Sequence, residues 1–139
     1  MEILYTATAT ATGGRQGHVR SADGVLDTPL ALPKELGGAG GAATNPEQLF
    51  AAGYAACFEN AVLRVARERK APIRESTVTA HVGIGRDEQG YFNLTVALVV
   101  SVPGREPAEI EEIARVAHET VCPYSRATRG NIEVTVSVT

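Results

Sequence analysis

Cysteine is scarce in this chain. Only Cys57 and Cys122 are present, and neither belongs to a Cys-x-x-Cys pair. The missing pairs argue against a thiolate metal centre. Residues Met1-Glu2-Ile3-Leu4-Tyr5 lack a basic segment followed by an apolar one, so no secretory signal is expected. No apolar run approaches the roughly 20 residues of a membrane helix, so no membrane partner is expected. The expected compartment is therefore the cytoplasm. There, two thiols read as chemical rather than structural. Excess positive charge is also absent: 13 Lys and Arg face 16 Asp and Glu, a net charge of −3. That excludes general attraction to nucleic acid. No Gly-Lys-Ser/Thr follows the glycine run at 37–41, which argues against a phosphate loop. There is no internal repeat and no low-complexity tail.

A hydrophobic fraction of 44% supports an ordinary core, and 139 residues fit one domain spanning 1–139. Residues 3–11 alternate Thr with apolar residues and read as a half-buried strand. Gly13-Gly14 turns the chain, and a second strand covers Gly17 to Ser21. Residues 22–44, with Pro29, Pro33 and Gly37-Gly38-Ala39-Gly40-Gly41, read as a long loop of the kind found at binding sites or interfaces. Asn45, Pro46 and Gln48 then form a helix start with a capping box. This helix runs to about Lys70, apolar on most sides at first and amphipathic later. The basic residues at its end read as a solvated terminus. A hairpin follows, with alternation over 78–84 and 92–102 around a polar loop at 86–90. A second helix starts near Pro107 and ends near Cys122-Pro123. A last strand covers Ile132 to Val138. Strands separated by two main helices imply an α+β fold with an antiparallel sheet.

Cys57 lies in apolar helical sequence, where a cysteine is often a small buried hydrophobe. A reactive Cys57 needs a stabilised thiolate, and the helix dipole fades about one turn from the N-terminus. A cation must do it, and Arg15, on a Gly-flanked turn, is the candidate. Cys122 is either a packed helix-terminal residue or the partner that condenses with an oxidised Cys57. Glu47 suits the first turn of a helix as an acid, or else orients Arg15. It lies ten residues from Cys57, about 15 Å along a straight helix. For both to serve one site, the helix breaks or Glu47 reaches the Cys57 of a second chain. The second arrangement is expected, as an antiparallel pair of these helices. His118 and Cys122 share i, i+4 spacing, but a metal site would need a third ligand. His81 and His18 read as solvent-facing. A ligand-binding module and a redox sensor without turnover stay open.

Several segments together resemble the organic hydroperoxide resistance branch of the Ohr/OsmC superfamily. They are Gly13-Gly14-Arg15, Gly37 to Gly41, Asn45-Pro46-Glu47-Gln48-Leu49-Phe50, Ala51 to Phe58, and Val121-Cys122-Pro123-Tyr124-Ser125. Gln16 stands where an acidic residue is usual and Ala43 where Gly is usual. The resemblance implies an Ohr/OsmC-like α+β fold of antiparallel sheets and two main helices, in an intertwined homodimer. It implies a thiol peroxidase that reduces organic hydroperoxides, with no bound cofactor and no metal. Dihydrolipoamide or a lipoylated protein would be the reductant. Cys57 would be the peroxidatic cysteine, Cys122 the resolving one, and Arg15 with Glu47 the activating pair. Phe50, Tyr54, Phe58 and the loop residues Leu30, Leu32 and Leu36 would suit a bulky organic substrate.

Overall fold

The alternation of apolar and polar residues places three strands in each of two sheets. A computed structural model describes all residues, 1–139, and divides them into two units, Met1–Leu49 and Phe50–Thr139.

In the first unit, β1 (Ala9–Thr12), β2 (His18–Ser21) and β3 (Asp27–Pro29) form an antiparallel sheet in that order. The strand expected over 3–11 is shorter than its pattern. β2 ends at Ser21, where Gly24 at φ 73° turns the chain away, and the last link is Ala22 N–H to Thr8 O at 2.9 Å. Residues 3–7 therefore find no ladder partner on β2. The expectation of half-burial also fails, because all four β1 residues are exposed. The β1–β2 turn needs glycine at position 17, where a Cβ would sit 1.8 Å from Thr12 O.

The stretch 22–44 is more ordered than a loop. It contains β3, a 3-10 turn at Lys34–Leu36 and a parallel bridge between Leu30 and Thr44. Its short range hid it: a three-residue strand has no visible period. The glycine run wraps closely on itself, with Gly38 N–H bonded to Pro33 O and Gly40 N–H to Leu32 O.

Helix α1 (Pro46–Glu68) begins where its sequence requires. Asn45 Oδ1 accepts from Gln48 N–H at 2.8 Å, the expected cap. The reciprocal half of the capping box is replaced, since the Gln48 side chain accepts from the Thr44 hydroxyl at 2.9 Å. By length and composition α1 could cross a membrane, with a mean hydropathy of 1.2 over its best 18 residues. No long apolar run shows this, because Glu59, Asn60 and Arg64 interrupt the Ala, Val, Leu and Phe residues that carry that value. A core helix meets the same criterion. The stripe Tyr54, Phe58, Ala61, Val62, Val65 and Ala66 is buried in the second unit's core. Its basic end is a solvated terminus, with Arg64 bonded to Glu68 and Arg69 to Glu112.

The rest of the second unit is the hairpin β4 (Thr77–Arg86) and β5 (Phe92–Ser101), then α2 (Pro107–Val116), a wide π turn (Ala117–Val121), α3 (Pro123–Thr128) and β6 (Glu133–Val138). β4 and β5 are antiparallel, as expected. β6 lies parallel to β5, so this sheet is mixed. The reason is the connection: a crossover through α2 and α3 returns the chain in its original direction. Helix α3 was not foreseen. Pro123 reads as a stop for the preceding helix, yet it also fits the first position of the next.

The core sits between these helices and one sheet face. Val96, Leu98 and Val100 of β5 pack with Tyr54, Phe58, Ile110 and Ile113. Leu98 is fully buried. Leu98→Ala is expected to cost about 2–5 kcal/mol of stability, read by urea unfolding. A loss below about 0.5 kcal/mol would contradict this packing.

Candidate active site

The two cysteines meet. Cys57 on α1 and Cys122, between the π turn and α3, are free thiols with sulfurs 3.7 Å apart. A disulfide bond is about 2.05 Å long, so a small movement separates this contact from a bond. Their surroundings differ. Cys122 is 2% exposed, whereas Cys57 is only partly buried. A dissolved reagent can therefore reach Cys57 more readily than Cys122.

The first turn of α3 faces both sulfurs. Ser125 N–H donates to Cys122 Sγ at 3.5 Å. Burial pushes the Cys57 thiol pKa up, and the neighbouring Cys122 adds to that; the backbone N–H of Tyr124 works against it by stabilising the thiolate. No cation acts on Cys57 within its own unit.

The candidate cation is in the first unit, and it is paired as expected. Gly13, at φ 72°, leads into the short 3-10 turn Gly14–Gln16 that carries Arg15. Arg15 makes a two-point ion pair with Glu47: Nη1 donates to Oε2 at 2.8 Å and Nη2 to Oε1 at 2.7 Å. Arg15 holds the Glu47 carboxyl below the usual carboxylate range, and Glu47 raises the Arg15 pKa further. α1 is unbroken from Pro46 to Glu68.

The aromatic residues named from the sequence separate into two kinds. Tyr54 and Phe58, expected as substrate contacts, are fully buried in the core of the second unit. The Tyr54 hydroxyl bonds Ser125 Oγ at 3.0 Å and Thr128 Oγ1 at 3.2 Å, and Phe58 packs near the His118 ring. They bury themselves because they lie on the core stripe of α1, a position periodicity assigns but aromatic character alone does not. Phe50 stays half-buried beside the Tyr124 ring, 6.3 Å between centroids. Tyr124 is 39% exposed and lies over Gly53, where a Cβ would meet the Tyr124 ring at 3.3 Å. Tyr124 belongs to the Val121–Ser125 motif, which by itself assigns it no place at the site. The signal was there: a Pro at a helix start directs the next backbone N–H groups back at the preceding residue. Leu36 is half-buried in the first unit's 3-10 turn.

His118 turns toward Ser125, with Nδ1 2.9 Å from Oγ. Nowhere do three or more His, Cys, Asp or Glu residues gather to hold a metal ion. His81 is exposed on β4, and the exposed His18 bonds Asp27 at 2.9 Å.

The chain as a whole is similar to known proteins. The family model for OsmC-like protein matches residues 38–137. The organic hydroperoxide resistance protein of Xanthomonas axonopodis pv. citri is 53% identical over 138 residues, covering 99% of this chain and 96% of that one. The chain belongs to the organic hydroperoxide resistance branch of the OsmC-like family. OhrB of Bacillus subtilis is 48% identical over 134 residues, covering 94% and 95%. The crystal structure of an organic hydroperoxide resistance protein from Legionella pneumophila superposes with a TM-score of 0.92 at 50% identity, covering 99% of both chains. The two-sheet, two-helix α+β architecture is thus that of the Ohr branch. Membership implies peroxide detoxification, an antioxidant role in stress.

Proposed function

We propose that this Ohr-family protein, acting as one domain over 1–139, is a cysteine peroxidase that reduces organic hydroperoxides to alcohols. The observation that carries the reading is the 3.7 Å approach of a partly exposed thiol to a buried one. The Cys57 thiolate attacks the outer oxygen of ROOH. The O–O bond breaks, the alcohol leaves with a proton, and Cys57 becomes a sulfenic acid. Cys122 then displaces the hydroxyl as water and forms the Cys57–Cys122 disulfide. A dihydrolipoyl group, free or on a lipoylated protein, reduces that bond by thiol exchange. A reversible thiol pair of this kind suits a reducing compartment such as the cytoplasm.

Arg15 supplies the cation that Cys57 lacks, and Glu47 holds its fork in place. Ten residues of straight helix span about 15 Å, which favours the pair serving the Cys57 of a second chain. The exposed apolar residues Ile3, Leu4 and Tyr5, on a segment that finds no strand partner in its own sheet, support an intertwined homodimer. Phe50 and Tyr124 offer apolar contact that favours a bulky organic peroxide over hydrogen peroxide.

Thiol counting and intact mass after one equivalent of an organic hydroperoxide test the reading. The wild-type protein should lose two thiols and gain a Cys57–Cys122 bond. Cys122→Ser should gain one oxygen on Cys57 and stall. Both thiols surviving would overturn it.

A further inference from the structure

The Ser125 hydroxyl is buried at a junction. It is 0% exposed and bonds two side chains from different elements, Tyr54 OH on α1 at 3.0 Å and His118 Nδ1 on the π turn at 2.9 Å. Thr128 adds a third link, bonding Tyr54 OH at 3.2 Å and donating to Tyr124 O at 2.9 Å. None of these groups touches the sulfurs through its side chain. Together they fix the first turn of α3, whose backbone N–H groups at Tyr124 and Ser125 face Cys57 and Cys122.

The element on the other side of Cys122 is irregular. Residues Ala117–Val121 form a π turn, in which Cys122 N–H bonds Ala117 O at 2.9 Å. Such turns are rare and frequent at functional sites. Cys122 thus sits between a π turn and a short helix, and the His118–Ser125 bond joins the two across it. His118 also lines a cavity of about 210 Å³ between α2 and β6, so its outer edge has room and its inner edge is fixed.

We propose that Ser125, held by His118 and Tyr54, is a positioning residue for the resolving step. It keeps the Cys122 sulfur aimed at Cys57 so that disulfide formation outruns further oxidation. In that step the Sγ–Sγ bond forms and the Sγ–O bond of the sulfenic acid breaks. The Cys122 thiol proton leaves with the hydroxyl as water. A 1 Å misplacement of a reacting atom can cost about 10²-fold in rate. The competing reaction is a second hydroperoxide oxidising Cys57 to the sulfinic acid. The inference rests on the peroxidase reading, and its test separates the two.

Rapid-mixing measurements on Ser125→Ala and His118→Phe would follow two signals: consumption of the first equivalent of cumene hydroperoxide, and loss of the second thiol. Expected is a first phase within about twofold of wild type and a disulfide phase slowed at least about tenfold. Intact mass should show a sulfinic acid on Cys57 at excess peroxide. His118→Phe keeps a ring beside Phe58 and guards against a folding failure of the buried serine. His118→Gln, which keeps a polar group able to reach Ser125, should recover part of the disulfide rate. An unchanged disulfide phase in all three variants, with the same melting temperature, overturns the positioning role while leaving the peroxidase intact. Absence of the first phase in wild type overturns the peroxidase reading itself.

Discussion

Cys57→Ser is expected to reduce hydroperoxide consumption to the uncatalysed background while leaving the fold intact. Serine is nearly isosteric with cysteine, and position 57 is only partly buried, so stability should change by less than about 1 kcal/mol. The chemistry does not survive, because a hydroxyl is weakly nucleophilic without a base beside it. Cys122 cannot take over. It is 2% exposed, and a peroxide would have to displace core side chains to reach it. Cys122→Ser should differ in kind: Cys57 still oxidises once, and turnover then stops. The measurement is steady-state consumption of an organic hydroperoxide with dihydrolipoamide as reductant, alongside a thermal melt. Residual turnover above a few per cent in Cys57→Ser would transfer the peroxidatic role to Cys122. That would also reverse the argument drawn from burial.

What the sequence made legible follows from period and chemistry. The β4–β5 hairpin was visible because ten-residue strands show their alternation, and α1 because Asn45 and Pro46 mark its start. Short elements escaped. β3 has three residues and α3 six, too few for a pattern to rise above the local composition. β6 was located correctly, yet its direction depends on the crossover and not on its own residues. At the site, thiol and charge chemistry pointed to Cys57, Cys122, Arg15 and Glu47. The Arg15–Glu47 ion pair and the thiol contact are both present within their units. Tyr54 and Phe58 lie in the core, and aromatic character alone does not separate a core position from a substrate wall. Ser125 was invisible as a single serine. Its meaning lies in partners 71 and 7 residues away.

Arg15→Ala is expected to slow Cys57 oxidation about 10²–10³-fold, the usual effect of losing one donor at a developing negative charge. Folding should be nearly unaffected, since the Arg15 side chain is 40% exposed and an ion pair at that exposure contributes little stability. The pH profile gives the sharper test. Burial and Cys122 hold the Cys57 pKa above its ordinary value, so without Arg15 the rate should keep rising into alkaline solution. With Arg15 beside the thiolate, the same rise should be complete at lower pH. The acid limb has the opposite origin. Arg15 holds the Glu47 carboxyl below its ordinary pKa. The ion pair is therefore fully formed above the unfolded carboxyl's pKa and is lost as pH falls through the depressed value. Glu47→Gln keeps one acceptor oxygen for Arg15 but removes the charge. It should slow oxidation less than Arg15→Ala and flatten the acid limb. Identical thiol-oxidation profiles for wild type and Arg15→Ala would leave Cys57 without its cation and remove the Arg15–Glu47 pair from the reaction.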